Sequence, residues 1–500
     1  MSSIANKFSP KEVDKRYEQL EQLKISLILH MDSYKFSHPF AYPKTKNVNG
    51  VDKKIVGMSS YGTARIKHSE SIVSAGMQLL VKKYLSQRIT MEDIDRAEQF
   101  SKDHFGQKLF ARESWEQVVN KYDGYLPLII RSIPEGSLVR GGDPLYTVTV
   151  LDDPLVFWMS AGFETLIQRG VWYPTTIATN DYNIKQDMLE FYRRSGANEA
   201  DVLFAYHDFG GRGVSSAETA EIGGCAHTFN FFGSDNVEGI LTSNFYYKSA
   251  MSAFSVFATE HSIECSFGGG REDAINYIRS TLIAAKTKGL KIVSIVLDGY
   301  DVYREAQLCC TILRDEIIAS GVKVVFRPDS GDMMEVVPRL LEMQAAAFGF
   351  TLNDKGFKVI NYVGLIQGDG VDRLAINSLL GKIITIYKFV ASSVLFGSGG
   401  AMLQKVNRDT LKFAQKASAL QLEDDTWVGV AKDPITDSGK KSKEGVLTTV
   451  RSRMTGETMS ARLDLGDLDT EFEDVMQLVY HTGKLYNEIT LDEIRANLAV

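Results

Sequence analysis

The sequence has little cysteine. Its 500 residues include only Cys225, Cys265, Cys309 and Cys310, and none of these form a C-x-x-C pair. So few thiols exclude a disulfide framework, and their spacing argues against a zinc site. Long apolar runs are also missing, because no segment reaches the length of a membrane span and the polar N-terminus lacks the apolar core of a signal peptide. We therefore expect reduced thiols, a cytoplasmic location and no membrane partner.

An excess of basic charge is missing as well. Asp and Glu number 63 against 56 for Lys and Arg, and the net charge is −7. This balance argues against a nucleic-acid partner but leaves room for a local basic pocket that binds phosphates. The sequence contains no H-E-x-x-H, no G-x-S-x-G and no P-loop G-x-x-x-x-G-K-[ST]. The catalytic classes that those motifs mark are therefore disfavoured.

From about residue 200 the sequence repeats one pattern, in which a short apolar run ends in a polar cluster. The pairs of run and cluster are DVLFAY and HDFGGRG, HTFNFF and GSD, SAFSVFA and TEHS, IVSIVL and DGYD, VKVVF and RPDSG, YVGLIQ and GDG, and SSVLF and GSGG. Successive runs begin roughly 25–40 residues apart, which is typical of β-loop-helix units. Because the runs do not alternate with polar residues, they predict a parallel, barrel-like sheet covered by helices. The clusters fall at the carboxyl ends of the strands, where such barrels carry their chemistry.

The predicted fold class is α/β, with an irregular barrel-like parallel sheet and flanking helices, plus a second α+β domain built from the N- and C-terminal segments. The predicted boundaries are an N-terminal extension at 1–25, the composite domain at 26–195 and 400–500, and the barrel-like core at 196–399. In the composite domain we expect helices within 70–120, 155–170 and 180–195, short strands within 125–150, and a hairpin in LTTVRSRMTGETMSARLD.

Two glycine-rich clusters are candidate sites for phosphate and ribose. GSGG at 397–400 follows a strand and precedes a predicted helix, so its backbone N–H groups could bind an anion, although a simple tight turn explains the glycines equally well. Asp369 lies between Gly368 and Gly370, where its carboxylate could accept hydrogen bonds from both hydroxyls of a ribose. An Asx-turn is the alternative interpretation of Asp369.

Charged residues at three further strand ends are candidates for substrate binding or catalysis. Arg327 directly follows an apolar strand and needs a partner or a ligand, and Asp329 is expected on the same side, so the two could bracket a polar substrate or simply form an ion pair. His261 and Asp298 follow two other strands. Together they could form a pair in which the carboxylate fixes the histidine tautomer and leaves the other nitrogen nucleophilic. Separately, His261 could be a satisfied core residue and Asp298 a helix N-cap.

An ordered set of short strings carries a resemblance to a known family. The strings are MDSYK (31–35), HDFGGRGVSSAET (207–219), GSDNV (233–237), EHS (260–262), RPDSG (327–331), IQGDGVD (366–372), FGSGG (396–400) and KDP (432–434). In this order, from about residue 26 to 498, the chain resembles the nicotinamide phosphoribosyltransferase family. The resemblance implies a pentosyltransferase of NAD salvage that makes nicotinamide mononucleotide and pyrophosphate from nicotinamide and phosphoribosyl pyrophosphate. It also implies Mg²⁺, ATP as a co-substrate acting through a phosphohistidine, and a homodimer whose active sites use both subunits.

The resemblance further implies a role for individual residues. The catalytic group is His261, Asp298 and Glu260. The nicotinamide site is Phe209, Asp235 and Arg327, with Tyr34 of the partner subunit completing the stack on the pyridine ring. The ribose and 5′-phosphate group is Asp32, Arg212, Ser255, Ser294, Asp329, Gly368, Asp369, Gly399 and Gly400. The pyrophosphate and ATP group is Arg408, Lys416, Lys432 and Lys440.

Two positions depart from the pattern of that family, and three other functions compete. Ala414 stands where a hydroxyl residue is frequent, and Gly211 stands where a bulkier aromatic can occur. The nearest competitor is a nicotinate phosphoribosyltransferase, but the Asp235 carboxylate would attract the amide of nicotinamide and repel nicotinate. The second is a non-catalytic sensing or signalling protein on the same scaffold. The third is a barrel phosphatase or aldolase, which lacks a candidate Schiff-base lysine at a strand end.

Overall fold

The computed structural model describes residues 25–436, 441–466 and 468–499, so most of the predicted N-terminal extension lies outside the described residues. The strands, numbered in chain order, are β1 (Thr45–Val48), β2 (Val51–Ala64), β3 (Ser71–Val73), β4 (Ile129–Ser132), β5 (Leu138–Arg140), β6 (Pro144–Val150), β7 (Tyr206–Asp208), β8 (Gly233–Ser234), β9 (Phe257–Ala258), β10 (Ile292–Val296), β11 (Lys323–Arg327), β12 (Phe350–Leu352), β13 (Lys358–Ile360), β14 (Val363–Gln367), β15 (Val394–Ser398), β16 (Phe413–Leu422), β17 (Trp427–Gly429), β18 (Leu447–Ser452), β19 (Thr458–Arg462), β20 (Phe472–Asp474), β21 (Gln477–His481) and β22 (Lys484–Leu485).

The helices lie between and after these strands. The α-helices span His38–Ala41, Met77–Leu80, Met91–Phe105, Arg112–Tyr122, Met159–Gly162, Glu164–Ser195, Ala217–His227, Val237–Tyr246, His261–Phe267, Arg271–Thr287, Val302–Cys310, Arg314–Ser320, Met333–Phe348, Arg373–Lys382, Gly400–Gln404 and Leu491–Asn497. The 3₁₀ turns span Leu27–Leu29, Ser33–Ser37, Glu199–Phe204, Gly210–Arg212, Ala391–Ser393 and Leu463–Leu465, and π-helical turns span Val81–Leu85 and Ile383–Tyr387.

One sheet contains seven strands, one for each predicted unit, but two of the predicted runs were wrong as strands: DVLFAY falls mostly in the 3₁₀ turn Glu199–Phe204 before β7, and HTFNFF lies between the helix Ala217–His227 and β8. Its order is β8-β7-β15-β14-β11-β10-β9, and all neighbouring strands run parallel. A further parallel bridge joins Gly233 in β8 to Phe254, just before β9, so the sheet curls towards closure. The predicted barrel-like parallel sheet is confirmed.

The apolar sequence of these strands follows from burial on both faces. In β10 the four residues from Val293 to Val296 are all buried, where a half-exposed strand would alternate. The helices Arg271–Thr287, Met333–Phe348 and Arg373–Lys382 contribute to the same hydrophobic core as the strands. Because the strands are all parallel, their carboxyl ends meet at one edge of the sheet, and the polar clusters are gathered there.

The N- and C-terminal segments form an antiparallel sheet in the order β17-β16-β2-β6-β4-β21-β22, with β1 paired to β2. A second hydrophobic core packs against it and is drawn from residues 27–171 and 411–480. The strands predicted within 125–150 are β4, β5 and β6, and the predicted hairpin is the antiparallel pair β18 and β19. The predicted fold class, with its second α+β part, is thus confirmed.

The helix Glu164–Ser195 is continuous, where the sequence predicted two separate helices. Its early residue Leu166 packs in the core of the antiparallel sheet, whereas Met188 and Tyr192 pack in the barrel core. Burial in both cores outweighs the poor helix propensity of the segment around Pro174. Within the described ranges, neither this helix nor any other is long and apolar enough to cross a membrane. The predicted domain boundaries stay a prediction.

Candidate active site

A cleft of about 660 Å³ opens at the carboxyl ends of the parallel strands. Its wall is made almost entirely of residues from the predicted polar clusters. The lining residues are Phe209, Gly211, Arg212, Asp235, Asn236, Val237, Glu238, Glu260, Arg327, Asp329, Gly368, Asp369 and Gly399. Clusters far apart in the sequence therefore meet in one cavity because each follows a strand of the same sheet.

The ring of Phe209 has a fixed position at the edge of this cleft. The backbone N–H of Phe209 donates to the carbonyl of Ser398 (2.9 Å), which ties the end of β7 to the end of β15. A Cβ atom at Gly397 would lie 1.9 Å from Cε2 of the Phe209 ring, so only glycine leaves space for the aromatic side chain there. The geometry presents a flat aromatic face on which a planar ring can stack.

Asp208 holds the two loops on either side of the Phe209 ring. Its buried carboxylate accepts hydrogen bonds from the backbone N–H of Gly210 (2.7 Å) and from Nδ2 of Asn236 (2.9 Å). Burial raises the pKa of Asp208, and these hydrogen bonds oppose that rise by stabilising the carboxylate. Asn236 also caps the helix Val237–Tyr246, so Asp208 links the Phe209 loop to the start of that helix.

Asp235 lies between Asp208 and Ser255. Its backbone N–H donates to the carbonyl of Asp208 (3.0 Å), and its Oδ1 accepts a hydrogen bond from the hydroxyl of Ser255. Oδ2 forms no hydrogen bond with any described residue. Asp235 is exposed and lines the cleft, so this carboxylate presents a free acceptor to a ligand.

Arg327 extends from the end of β11 into the cleft without a close ionic partner. Its nearest carboxylate oxygen, Oδ2 of Asp329, lies 4.0 Å from Nη2, at the limit of an ion pair. Its Nε is buried and has no hydrogen-bond partner in the described part of the chain. Because an unpaired buried donor is costly, this geometry favours a ligand for Arg327 over a purely structural pair with Asp329.

His261 and Asp298 form the predicted pair. Nε2 of His261 lies 2.9 Å from Oδ1 of Asp298, and Oδ2 of the same carboxylate accepts the backbone N–H of Asp329 (3.0 Å). The His261 side chain is 47% exposed, which excludes a core role, and the helix Val302–Cys310 is capped by Asp301 and not by Asp298. Glu260 precedes His261 and accepts a hydrogen bond from the hydroxyl of Ser262.

The glycine-rich clusters leave room for a ligand. Asp369 is exposed, and its carboxylate forms no hydrogen bond with the described residues, which disfavours the Asx-turn. The predicted helix after GSGG spans Gly400–Gln404, and a Cβ atom at Gly399 would meet nothing within 4 Å. A Cβ atom at Gly211 would lie 3.9 Å from Asn236, so the missing side chain leaves this wall of the cleft open.

A second group of predicted residues lies apart from the cleft, around Glu164. Tyr34 is 56% exposed on the turn Ser33–Ser37, and burial together with Glu164 and Asp32 raises its pKa. Nζ of Lys416 lies 3.7 Å from Glu164, and burial lowers the pKa of Lys416. Oδ2 of Asp32 accepts a hydrogen bond from Thr165 (2.9 Å).

The remaining predicted phosphate ligands are on the C-terminal segment or beyond the described residues. Arg408 and Lys432 are exposed, and Ala414 is buried on β16 two residues before Lys416. Lys440 lies outside the described residues. None of Tyr34, Arg408, Lys416 or Lys432 is among the described residues that line the cleft.

Ser294 lies inside the barrel. It is 5% exposed on β10 and lines an apolar cavity of about 320 Å³ beneath the cleft, together with His207, Ser255 and Ile366. Its hydroxyl has no hydrogen-bond partner among the described residues. The binding role predicted for Ser294 stays a prediction.

Comparison with known proteins assigns the family. A model of the nicotinate phosphoribosyltransferase (NAPRTase) family matches residues 204–484, and a model of the N-terminal domain of nicotinamide phosphoribosyltransferase matches residues 26–130. A relative from Xanthomonas campestris pv. campestris, named nicotinamide phosphoribosyltransferase, is 40% identical over 479 residues, which cover 94% of this chain and 98% of the relative. The chain belongs to the NAPRTase family.

Other members and structures agree with this family. A relative from Acinetobacter baylyi, also named nicotinamide phosphoribosyltransferase, is 33% identical over 75% of this chain and 77% of the relative. A structure of nicotinate-nucleotide pyrophosphorylase from Pyrococcus furiosus superposes with a TM-score of 0.59 at 13% identity, covering 95% of both chains. Human nicotinic acid phosphoribosyltransferase gives a TM-score of 0.54 at 16% identity, covering 94% of this chain and 92% of that chain. At such identities these two structures show the NAPRTase fold alone.

Sequence reasoning missed several residues that shape the site. Asp208 and Asn236 hold the loops, Glu238 lines the cleft, and Gly397 makes space for the Phe209 ring. All four lie in or beside the polar clusters already singled out. The pattern of apolar runs and polar clusters therefore indicated which segments form the site. The role of each residue could not be inferred, because it depends on contacts between different clusters.

Proposed function

We propose that this chain is a nicotinamide phosphoribosyltransferase, which joins nicotinamide to the ribosyl group of phosphoribosyl pyrophosphate. The pyridine nitrogen would attack C1 of the ribose, the bond from C1 to the pyrophosphate oxygen would break, and nicotinamide mononucleotide and pyrophosphate would leave. The observation that carries the proposal is the joint exposure of Phe209, Asp235 and Arg327 in one cleft. An aromatic face, the Oδ2 acceptor of Asp235 and a guanidinium whose Nε has no partner in the described part of the chain together match a planar aromatic amide.

The three residues have complementary tasks toward the amide. Phe209 stacks on the pyridine ring, and the guanidinium of Arg327, whose Nε lacks a partner among the described residues, donates to the carboxamide oxygen. Asp235 accepts a hydrogen bond from the amide NH₂ and would repel the carboxylate of nicotinate. The relatives from Xanthomonas and Acinetobacter carry the same substrate in their names, which supports this choice.

Other residues that line the cleft suit the ribose and phosphates. Asp329 and Asp369 present carboxylates for the ribose hydroxyls, whereas Gly399 and Arg212 present a backbone N–H and a cation for the 5′-phosphate. Mg²⁺ would enter with the substrate, bound to its phosphates, and would neutralise the charge that develops on pyrophosphate. Fixed cations and a positioned ring suffice for the reaction, because the pyridine nitrogen needs no general base.

The pair of His261 and Asp298 supports ATP coupling. Because Oδ1 of Asp298 accepts the Nε2 hydrogen of His261, the lone pair stays on Nδ1. In the proposed step, Nδ1 attacks the γ-phosphorus of ATP, the bond to the β-γ bridging oxygen breaks, and ADP leaves. The phosphohistidine would place negative charge beside the cleft, and its later hydrolysis would return free His261 and phosphate.

We also propose a homodimer that completes each site with Tyr34 of the partner subunit. Two observations support it. In the described part of one chain, neither Tyr34 nor Lys416 lines the cleft that holds Phe209. Next to that cleft, the helix Val237–Tyr246 exposes Val237 (60%), Leu241 (61%) and Phe245 (77%), which share one face of the helix and would be covered by a second copy.

The proposed location is the cytoplasm. The four cysteines form no disulfide, which fits a reducing compartment. Nicotinamide salvage also requires phosphoribosyl pyrophosphate and ATP, both of which are intracellular metabolites.

A product assay tests the proposed function. The protein is incubated with Mg²⁺, phosphoribosyl pyrophosphate and either nicotinamide or nicotinate, with and without ATP, and the nucleotide is identified by mass. We expect nicotinamide mononucleotide, and a higher rate with ATP. Formation of nicotinate mononucleotide alone would instead support the second candidate, a nicotinate phosphoribosyltransferase, which the name of the family model favours. No nucleotide from either base would contradict both.

A further inference from the structure

Two buried carboxyl groups lie beneath the His261 helix. Glu264 is 2% exposed and follows His261 by about one helical turn, and Glu305 is 0% exposed on the helix Val302–Cys310. The two side chains are within hydrogen-bonding reach of each other. Oε1 of Glu264 and Oε2 of Glu305 have no partner with a hydrogen to donate among the described residues.

The other oxygen of each carboxyl group is held by the protein. Oε2 of Glu264 accepts the backbone N–H of Gly299 (3.0 Å), and Oε1 of Glu305 accepts a hydrogen bond from Nη2 of Arg304 (3.2 Å). Gly299 directly follows Asp298. Glu264 therefore supports the turn that carries the hydrogen-bond partner of His261.

The contact between Glu264 and this turn is close. A Cβ atom at Gly299 would lie 2.5 Å from Oε2 of Glu264, so the turn rests directly on the carboxyl group. A change in the position or charge of Glu264 must therefore be transmitted to Gly299 and to the neighbouring Asp298.

A single proton shared between Glu264 and Glu305 would remove the repulsion between the two carboxylates. Two ionised carboxylates in a buried site repel each other and leave two oxygens without hydrogen bonds, whereas one shared proton satisfies both oxygens. Burial, and then the hydrogen bond and charge of Glu305, raise the pKa of Glu264 to about 8. The titratable and charged groups around Glu264 are Glu305 and Arg304 on one helix, Tyr277 on another, and Asp298 and Tyr300 on the turn.

We propose that Glu264 and Glu305 share one proton in the resting enzyme, and that this protonated pair positions the Asp298–Gly299 turn so that His261 can accept a phosphoryl group. Ionisation of the pair places a second negative charge under the turn and weakens the alignment of Asp298 with His261. Glu264 is a positioning residue, since it does not line the cleft among the described residues. The inference rests on the proposed ATP coupling through His261.

Substitution of Glu264 by Gln tests the shared proton. The amide mimics the protonated acid at every pH, because its NH₂ can donate to Oε2 of Glu305 while its oxygen accepts the N–H of Gly299. ATP-stimulated synthesis of nicotinamide mononucleotide is measured for wild type and Glu264→Gln from about pH 6 to about pH 9.5, with kcat and the KM for ATP determined separately. Glu342→Gln, on an exposed position of the helix Met333–Phe348, is the matched control.

The wild-type enzyme should lose about tenfold of its ATP-stimulated kcat for each pH unit above about 8, whereas Glu264→Gln should keep its rate. Glu342→Gln should follow the wild type. Glu264→Leu, which removes the acceptor for Gly299, should lose the stimulation at every pH. Identical profiles of wild type and Glu264→Gln would overturn the proposal. If Glu264→Gln does not fold, Glu305→Gln serves the same test from the other side of the pair.

The pH dependence of thermal unfolding tests for the shared proton independently of catalysis. The folded-state pKa of Glu264, about 8, lies above the usual value of 4.5, so Glu264 contributes stability that is fully present below pH 4.5 and is lost as the pH rises through about 8. The Tm of the wild type should fall relative to Glu264→Gln across this window and level off above it. A constant Tm difference would overturn the shared proton. Loss of ATP coupling in the wild type, with the Tm shift present, would instead contradict the proposed function of His261.

Discussion

Nε2 of His261 lies 2.9 Å from Oδ1 of Asp298, and the backbone N–H of Asp329 occupies the other oxygen of that carboxylate. In Asp298→Asn, the amide oxygen must face the N–H of Asp329, so its NH₂ faces His261. Nε2 then has to accept a hydrogen bond, which moves the proton to Nδ1 and blocks the proposed nucleophile.

We therefore expect Asp298→Asn to reduce ATP stimulation roughly 10²-fold, as His261→Ala should also do. The measurement is the ratio of initial rates with and without ATP, supported by detection of acid-labile phosphate on the protein. The matched control is Asp301→Asn, since asparagine is an equally good cap for the neighbouring helix. Full ATP stimulation in Asp298→Asn would contradict the tautomer argument.

Asp235 should select the base. Replacement by Asn or Ser removes the charge that repels nicotinate, so the ratio of kcat/KM for nicotinamide to that for nicotinate should fall at least about tenfold, or ~1.4 kcal/mol. Side-by-side assays with both bases measure the ratio. Ser255→Ala is a useful comparison, because it removes the hydrogen bond to Asp235 but leaves the Asp235 charge in place, and it should keep the preference for the amide. Unchanged selectivity in Asp235→Asn would disprove this role.

Gly397 should be required for the aromatic wall. In Gly397→Ala the new methyl group would lie 1.9 Å from the Phe209 ring and must displace it. The KM for nicotinamide should rise about tenfold or more, because a misplaced ring loses both stacking and alignment. Gly381→Ala, in the helix Arg373–Lys382, is the control, since its Cβ meets nothing closer than 4.0 Å. A normal KM in Gly397→Ala would show that the ring does not stack on the base.

A buried ion pair beneath the cleft should make stability depend on pH. His227 and Asp181 are both fully buried, with Nδ1 2.7 Å from Oδ2, and Nε2 of His227 faces the carbonyl of Gly233 at 3.0 Å. With an acceptor at each nitrogen, the geometry favours the imidazolium form of His227, whereas burial raises the pKa of Asp181 and opposes its ionisation. Burial alone lowers the pKa of His227, but Asp181 outweighs this effect and raises it above the usual value of 6.5.

The contribution of His227 to stability is therefore fully present below pH 6.5 and is lost as the pH rises through its folded-state pKa, and the raised pKa of Asp181 gives a pH dependence of the same sign. Asp181→Ala should destabilise the protein by ~3–5 kcal/mol at neutral pH, because it leaves a buried charge unpaired. Urea unfolding of the wild type and of Asp181→Ala at several pH values measures both the pH dependence of the unfolding free energy and the destabilisation caused by the substitution. A pH dependence identical to that of the wild type in Asp181→Ala would exclude the charged pair.

Mixed dimers test the shared site. Phe209→Ala and Tyr34→Ala should each inactivate the enzyme, since each removes one side of the proposed stack. When equal amounts of the two variants are unfolded together and refolded, about half of the dimers should contain one subunit of each variant. Each mixed dimer should have one intact site, so roughly a quarter of wild-type activity should return. Refolding each variant alone is the control. No recovery, although light scattering shows dimers, would place Tyr34 outside the partner's site.

The exposed helix face gives an independent check on the dimer. Phe245→Glu places a charge on the most exposed residue of that face and should shift the protein towards monomer, with loss of activity. Phe350→Glu, at an exposed apolar position on β12, is the matched control and should leave the oligomeric state unchanged. Equal sedimentation of both variants would contradict the proposed interface.

Local patterns made a large part of the fold and the cleft predictable. The runs around β10 and β11 are short, apolar and followed by charged clusters, so strand identity and the position of Asp298, Arg327 and Asp329 could be inferred without coordinates. The continuous helix through Pro174 could not be inferred, because tertiary burial decided it against local propensity.

The sequence by itself determined most of the parallel strands and the polar residues at their ends, since apolar runs and turn residues act over a few positions of the chain, but it placed strands in the turns before β7 and β8. Only the tertiary structure decided which of those residues meet. The order of the sheet brings β7 beside β15, and with them the Phe209 ring over Gly397. It also sets Glu264 beneath the Asp298 turn and leaves Tyr34 away from the cleft. These contacts join residues far apart in the chain, and they depend on strand order and burial that no local pattern encodes.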